Sequence, residues 1–412
     1  MSRFLYSFPI RLWLGVGISA FLPYIILLPW LGKYQGHAYV ISMLAVAIAH
    51  FVSAKSLFSI TNYPGRKSVF SVLPNSVLWF LSAWAVLKIL GLPYSLWFLL
   101  LGFITSYAVC LWGFRLRTRK QPVLAYLPFS KAANANLLPD VHWIELANPI
   151  DIPPSQIQGY VADLHDPNLH ADWQKFLAEQ VLKGIPVYHI RAIEESLTGR
   201  LKIHHMYENS LGSLLPSKNY MLIKYLLDFI CILVSLPITL PLMLMTAIAI
   251  KLESSGPVLF VQNRVGLGGK EFKIYKFRSM CIDSEKDGAK LAAFGDMRVT
   301  KVGRFIRKVR IDELPQFFNI IKGDMSLIGP RPEQKAFVDE FEEKIPFYNY
   351  RHVVKPGISG WAQVMHGYAA NVDETQVKVE HDFYYIKHFS FSLDVLIFFK
   401  TIKTMLTGFG AR

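Results

Sequence analysis

Residues 220–252 read YMLIKYLLDFICILVSLPITLPLMLMTAIAIKL, and the fold turns on how this stretch meets a membrane. It is long enough to cross, since ~20 apolar residues span ~30 Å of hydrocarbon as a helix. It also carries Asp228, Pro237 and Pro241. Lys218 and Lys224 stand on the near side, and Lys251, Arg264, Lys270, Lys273, Lys276 and Arg278 follow. Basic flanks favour the cytoplasmic face, so both ends prefer the same side. Proline in mid-helix removes a hydrogen bond and bends the axis. These features predict a re-entrant helix that enters the inner leaflet, breaks near Pro237–Pro241 and returns, with its non-helical backbone buried against protein. The alternative is a fifth span with a periplasmic tail, which the charge beyond it opposes.

Working outward, 412 residues suffice for two or three domains. Hydrophobic residues make up 52% and charged residues 18%, less charge than soluble domains carry. The other apolar excess lies before Arg115, in four stretches: Leu12 to Leu31, Ala38 to Ile60, Val69 to Leu90 and Tyr94 to Phe114. Arg3 and Arg11 precede them, Arg66 and Lys67 lie in the second connection, and Arg115, Arg117, Arg119 and Lys120 mark the exit. The first connection has only Lys33 and the third no charge. Positive charge inside puts both ends of this bundle in the cytoplasm. Lys55 and Lys88 are near enough to the ends to snorkel; His50 is the other ionisable group within these spans. The layout is a four-span α-helical bundle over residues 1–119, a small α/β cytoplasmic module over 120–212, and a mixed α/β catalytic domain over 213–412 holding the re-entrant helix.

In the middle module the strand candidates are His142–Leu146, Tyr160–Leu164, Pro186–Ile190 and Ile203–Tyr207. Asp172–Lys183 has helical spacing, with Gly184 placed to stop it. That alternation suggests a small parallel sheet. No glycine-rich turn follows its first strand, so it reads as a structural or regulatory module without an assigned ligand.

The net charge of +14 admits three partners: nucleic acid, an anionic membrane surface, or a phosphate-bearing substrate. No helix-turn-helix, zinc or aromatic-sheet signature supports nucleic acid. The basic residues sit beside hydrophobic segments and in the last third, which suits lipid headgroups and phosphates. Cys110, Cys231 and Cys281 are scattered, so neither zinc nor a disulfide framework is expected. The first apolar run is long, and no small-residue cleavage site clearly follows it, so no cleavable signal peptide is expected.

After Glu253 the chain changes to glycines and arginines. Gly256-Pro257 leads to Gln262-Asn263-Arg264-Val265-Gly266, then Lys276-Phe277-Arg278-Ser279-Met280, and Gly303 through Arg307 to Asp312-Glu313-Leu314-Pro315-Gln316 and Asn319. Gly323-Asp324-Met325-Ser326, Gly329-Pro330-Arg331-Pro332-Glu333 and Pro356-Gly357-Ile358-Ser359-Gly360-Trp361-Ala362-Gln363 follow. Asp312 and Glu313 are adjacent carboxylates ringed by Arg307, Lys308 and Arg310. Such cations favour ionised Asp312 at neutral pH, and an Asp carboxylate can form an acyl phosphate. Mg²⁺ suits one or two carboxylates plus substrate phosphates, and arginines fork onto phosphate oxygens. On the pair alone, a solvated, salt-bridged helix start with Pro315 in its first turn is the simpler reading.

Taken together these strings resemble the bacterial sugar transferase family, the polyprenyl-phosphate hexose-1-phosphate or monotopic phosphoglycosyl transferases, over about Lys218 to Leu406. The four preceding stretches and the α/β insert resemble long-form members, which start capsule, O-antigen or exopolysaccharide repeat units in the bacterial inner membrane with the catalytic domain facing the cytoplasm. The resemblance implies that Asp312 attacks the β-phosphate of a UDP-sugar, releases UMP and holds a phosphosugar that undecaprenyl phosphate collects. It implies Mg²⁺ held by Glu313 and Asp312, phosphate oxygens held by Arg264, Lys276, Arg278, Arg307 and Arg331, and leaves a homodimer open. Lys224-Tyr225 stands where the family has Lys-Arg, Leu240-Pro241 where Ser-Pro is common, and Met365-His366-Gly367 where Asn-Gly is common.

His366, His381 and His388 read as surface or hydrogen-bonded core; Trp361 as a uracil platform or a buried aromatic; Asp382-Phe383-Tyr384-Tyr385 as a structural family motif. Phe389 to Leu406 has an apolar stripe for the membrane or for packing. Two competing functions are a non-catalytic scaffold or regulator of polysaccharide assembly and a lipid-linked sugar transporter; no internal repeat of the transporter kind is present.

Overall fold

The computed structural model describes residues 7–30, 36–61, 63–64, 69–118, 121–149, 152, 156–167, 169–203, 215–281, 298–367 and 372–407. Two compact units emerge, Met1–Gly199 and Arg200–Arg412.

The first unit opens with four helices, α1 (Phe8–Leu27), α2 (Gly36–Ile60), α3 (Val72–Ile89) and α4 (Leu96–Thr118), each packed on others of the four. Large apolar side chains such as Trp13, Ile25, Ile48 and Trp97 point outward. Their packing relies on small residues and polar clasps, as lipid-facing helices require. A Cβ at Gly15 would lie 2.3 Å from His50 Nε2. His50 is buried with Nδ1 2.8 Å from Ser106 Oγ, so this ionisable group is a clasp between α2 and α4. Asn75 donates to the Ser53 carbonyl and hydroxyl at 3.1 and 2.9 Å.

The α/β part of this unit is a four-stranded parallel sheet: β1 (Val123–Tyr126), β2 (His142–Glu145), β3 (Gly159–Ala162) and β4 (Val187–His189), in the order β2-β1-β3-β4. Helices α5 (Ala171–Leu182) and α6 (Ile190–Thr198) accompany it, and Tyr160, Trp173, Phe176 and Leu177 fill its core. The parallel sheet is as expected, with one correction. Val123–Tyr126, a short run between prolines, is a central strand that periodicity over four residues does not reveal. Of the strand expected at Ile203–Tyr207, residues 204–207 lie outside the described residues, and Ile203 itself is in a helical turn.

The second unit begins with α7 (Lys218–Glu253), followed by an antiparallel hairpin of β5 (Leu259–Val265) and β6 (Glu271–Phe277). Next come α8 (Lys301–Lys308), α9 (Gln316–Lys322), β7 (Ser326–Ile328), α10 (Lys335–Lys344), β8 (Gly357–Ser359), α11 (Trp361–Met365), α12 (Val372–Lys387) and α13 (Phe391–Thr407). β7 pairs parallel with β8. Helix α7 continues through Pro237 and Pro241, where an interruption was expected. Each proline removes one N–H from the ladder, and the remaining turns persist; the Ser235 and Thr239 hydroxyls bond back to the Ile232 and Ser235 carbonyls.

Both sides of the proline pair pack on the same unit. Ile232 and Leu236 join Ile274, Ile320 and Met325. Met243, Ala247 and Ile250 join Phe277 and Ile306. Near its start, buried Asp228 accepts from the Ser326 hydroxyl at 2.5 Å and from Leu327 N–H at 3.4 Å. At its end, Glu253 accepts from Val302 N–H at 3.1 Å. Counting helices by length and apolarity, five among the described residues can cross a membrane: α1 to α4 and α7.

Lys224 and Asp394 form a buried ion pair, with Tyr220 and Tyr385 hydroxyls also donating to Asp394. Stranding one member of such a pair costs about 3–5 kcal/mol, whereas replacing both with apolar groups is nearly neutral. Asp394→Ala should lower the thermal midpoint of the detergent-solubilised protein strongly, and Lys224→Met with Asp394→Leu should recover most of it. Equal losses in the single and double variants would show that the two charges are not coupled.

Candidate active site

The site is built on the turn between α8 and α9. Helix α8 starts where Thr300 Oγ1 accepts from Gly303 N–H at 2.9 Å, a side-chain N-cap. Gly303 must be glycine, because a Cβ there would lie 2.0 Å from the Ser279 carbonyl oxygen. After α8 the chain reverses at Arg310, a non-glycine residue at φ +57°, a conformation costing of order 1 kcal/mol or more. A short 3₁₀ turn, Ile311–Glu313, follows, and Pro315 precedes α9. Asn319 on α9 ties this turn to β6: its Nδ2 donates to the Lys273 carbonyl at 2.6 Å and its Oδ1 accepts from Tyr275 N–H at 3.1 Å. That bond fixes Lys276 opposite Glu313.

The two adjacent carboxylates have different surroundings. Glu313 is 5% exposed. Its Oε1 accepts from Arg331 Nη1 and Nη2 at 3.0 and 3.1 Å and lies 3.6 Å from Lys276 Nζ; its Oε2 lies 3.4 Å from Arg310 Nη1. Burial pushes its pKa up, but Arg331, Lys276 and Arg310 outweigh burial and hold it below the usual carboxylate range. Asp312 is half-buried and, among the described residues, accepts no hydrogen bond. Burial and the neighbouring Glu313 charge raise its pKa, against Lys276, Arg331 and Arg307. The cations do not offset burial and the Glu313 charge, so Asp312 lies above the usual carboxylate range, at about 6, and is still mainly ionised at neutral pH. Lys276 is lowered to about 8, by burial first and then by Arg331.

The anticipated residues fall into three groups. Lys276, Arg307 and Arg331 lie with Asp312 and Glu313, their charges felt at Asp312. Arg264 stands one step away, 3.3 Å from the Pro332 carbonyl and 3.5 Å from Glu333 Oε2. Arg278 points elsewhere: it donates to Ser255 O at 2.7 Å and to Ser254 O and Oγ at 3.0 and 2.8 Å, clamping the end of α7. Its role at a phosphate rests on the resemblance alone.

Sequence reasoning gave no role to what supports Arg331. Arg351 Nη2 donates to the Arg331 carbonyl at 2.8 Å and to Asp382 Oδ2 at 2.9 Å, and Nη1 donates to the Tyr348 hydroxyl at 2.7 Å. Lys378 pairs with Glu333 at 2.9 Å. Asp382 stood in a singled-out motif; nothing local marks Arg351 or Lys378. Trp361 is fully buried and stacked on Tyr384, 5.7 Å between centroids, so the uracil-platform reading is replaced by a core role. His381 is buried, His366 lies 6.3 Å from it ring to ring, and His388 packs on Tyr384. Helix α13 buries Leu393, Leu396, Ile397 and Phe399 and leaves Phe398 exposed, so its stripe is mainly packing.

Residues 219–408 match the model of the family described as bacterial sugar transferase. The chain is 50% identical, across all of itself and 97% of the relative, to a UDP-N-acetylgalactosamine-undecaprenyl-phosphate N-acetylgalactosaminephosphotransferase of Aeromonas hydrophila. The chain belongs to the bacterial sugar transferase family. It is therefore an enzyme of the phosphotransferase class. A putative undecaprenyl-phosphate N-acetylgalactosaminyl 1-phosphate transferase of Bacillus subtilis (strain 168) is 52% identical over 32% of this chain and 74% of its own length. A UDP-glucose:undecaprenyl-phosphate glucose-1-phosphate transferase of Klebsiella pneumoniae is 41% identical over 44% of this chain and 40% of its own length.

In this sugar transferase an ionised Asp312 is unfavourable to the fold at neutral pH, because its folded pKa is raised. Asp312→Asn should raise the thermal midpoint by a few degrees, as ~1 kcal/mol is worth about 2–4 °C in a unit of this size. Glu313→Gln leaves Arg331 half-paired and should lower it. Differential scanning fluorimetry of the two variants checks both signs; a stabilised Glu313→Gln would contradict the clamp.

Proposed function

We propose that the enzyme transfers a sugar-1-phosphate from a UDP-sugar to undecaprenyl phosphate at the cytoplasmic face of the bacterial inner membrane, giving the lipid-diphosphate sugar and UMP. One observation carries the reading: of two neighbouring carboxylates, Glu313 is clamped by Arg331 while Asp312 keeps its oxygens unengaged among cations. An Asp312 oxygen attacks the β-phosphorus of the donor. The bond from that phosphorus to the bridging oxygen breaks, UMP leaves, and the phosphosugar stays on Asp312. An oxygen of undecaprenyl phosphate then attacks the same phosphorus and expels the Asp312 carboxylate. Lys276, Arg307 and Arg331 offset charge on the phosphate oxygens, which is the main demand of phosphoryl transfer. Arg264 extends this basic surface.

Mg²⁺ fits the donor chemistry, since among the described residues the Asp312 oxygens are unengaged and Glu313 Oε2 faces only Arg310 at 3.4 Å, which leaves hard-oxygen donors beside a diphosphate. Asp312 and Glu313 would hold it; it would neutralise charge on the donor diphosphate. The whole-length likeness to the Aeromonas enzyme makes UDP-N-acetylgalactosamine the first donor to test.

The membrane reading draws on α7. A helix crossing ~30 Å of hydrocarbon separates its ends. Here Asp228 near one end and Glu253 at the other bond to the same unit. That supports a re-entrant α7 behind four spans, α1 to α4, with the catalytic unit on one face. Phe305 on α8 and Phe318 on α9 are 62% and 54% exposed, flanking the Asp312 turn with surface suited to lipid.

Purified enzyme with UDP-N-acetylgalactosamine, Mg²⁺ and undecaprenyl phosphate should release UMP. Asp312→Asn should lose at least 10³-fold in turnover and fail to trap a phosphosugar adduct; undiminished UMP release would end the covalent mechanism. The pH profile of kcat/KM should be bell-shaped. Activity falls on the acid side as Asp312 takes a proton, above the ordinary carboxylate range, and on the basic side near about 8, where Lys276 loses its charge. An acid limb unchanged in Glu313→Gln would show that Glu313 does not set the Asp312 pKa.

A further inference from the structure

The carboxyl edge of the parallel sheet in the first unit gathers groups that sugar transfer does not use. The chain passes from β1 to β2 on one side and reaches β3 on the other, so strand order reverses between β1 and β3. Ligands of open parallel sheets bind outside the carboxyl ends of strands at such a reversal. Asp163 directly follows β3, His165 lies two residues on, and His189 ends β4. One donor atom from each lies within 4.8 Å of the others. His189 Nε2 is 3.2 Å from Asp163 Oδ1 and 2.9 Å from His165 Nδ1. Asp163 is buried, and its carboxylate is aimed by two donors: the Ser130 hydroxyl, reaching across from the β1 side to Oδ2 at 3.3 Å, and His165 N–H, to Oδ1 at 3.3 Å.

Hydrogen placement leaves this cluster short of one positive centre. His189 Nδ1 accepts from Arg191 N–H at 3.1 Å, so the ring hydrogen sits on Nε2. That single hydrogen faces two lone pairs, on Asp163 Oδ1 and His165 Nδ1. A cation at the same point would satisfy all three donor atoms. One carboxylate and two imidazoles suit Zn²⁺ and its transition-metal neighbours, whereas Mg²⁺ selects oxygen ligands. His165 is exposed, so solvent can complete the coordination shell.

We propose that Asp163, His165 and His189 form a divalent transition-metal site, best matched to Zn²⁺. On binding, the His189 hydrogen moves from Nε2 to Nδ1, the bond from Arg191 N–H is given up, and no net proton is released. Ser130 and the His165 backbone hold the Asp163 carboxylate in place, the part that outer-shell partners play in metal sites.

Full-length protein without a histidine tag, stripped with a chelator and kept in excess Mg²⁺, is titrated with Zn²⁺ by calorimetry and with Co²⁺ by visible absorption. One equivalent should bind, with Co²⁺ d–d bands. His165→Ala changes only an exposed turn and should weaken Zn²⁺ binding about 100-fold; Asp163→Asn, which keeps side-chain shape, should weaken it at least tenfold. Melting curves confirm that both variants fold. No Zn²⁺ uptake by the wild type, or the same affinity and Co²⁺ spectrum in His165→Ala, overturns the site.

Discussion

Two carboxylates on consecutive residues repel each other, and burial makes each costlier in its charged form. Two hydrogen bonds from Arg331 to Glu313 Oε1 resolve this by giving one carboxylate the larger share of the compensation. Asp312 is then left with partial exposure, cations near but not bonded, and a raised proton affinity. A carboxylate locked in two hydrogen bonds is a poor nucleophile, because those bonds must be released before it attacks. In the proposed mechanism the asymmetry divides labour between residues that composition alone makes equivalent.

Arg331 can act as a clamp only if it cannot move. Its backbone carbonyl is held by Arg351, which is 3% exposed and itself held by Asp382 and the Tyr348 hydroxyl. Next along the chain, Glu333 is pushed down by Lys378, Arg351 and Arg264 against the upward push of burial. These charges alternate in sign outward from the reacting centre, and each buried charge has its partner. Removing any one strands another, which is why the unit tolerates so much buried charge and why the network is rigid.

How much of this was legible in the sequence depended on the range of the interaction. Helices α1 to α4 and the strands of the parallel sheet other than β1 follow from local patterning, and Asp312, Glu313, Lys276, Arg307 and Arg331 from strings matching a family. Arg351 was invisible, because its meaning comes from Asp382, thirty-one positions away, and from a backbone carbonyl. Arg278 was misleading, since a family string carries structural and chemical residues alike; here it clamps Ser254 and Ser255. The raised proton affinity of Asp312 was not legible, because proximity in sequence does not say which of two acids a cation will bond. Pro237 and Pro241 were given too much weight: each removes one hydrogen bond, too little to end a helix whose other turns are intact.

That last point bears on how the site meets its surroundings. Along α7, Leu226, Leu233, Ile238, Leu244 and Ile248 are exposed, while Asp228, Ile232, Thr246 and Ile250 are buried. The buried residues carry the contacts to the hairpin and to β7, so the helix is held along its length and at both ends by one unit. The turn bearing Asp312 repeats this division on a smaller scale: Phe305 and Phe318 face outward while Glu313 and Asn319 face inward. Apolar side chains exposed together on neighbouring elements mark an interaction surface, unlike the singly scattered ones normal on a soluble domain. Under the proposed function lipid covers these side chains, and that seating brings a charged site within reach of a phosphate carried on an apolar chain.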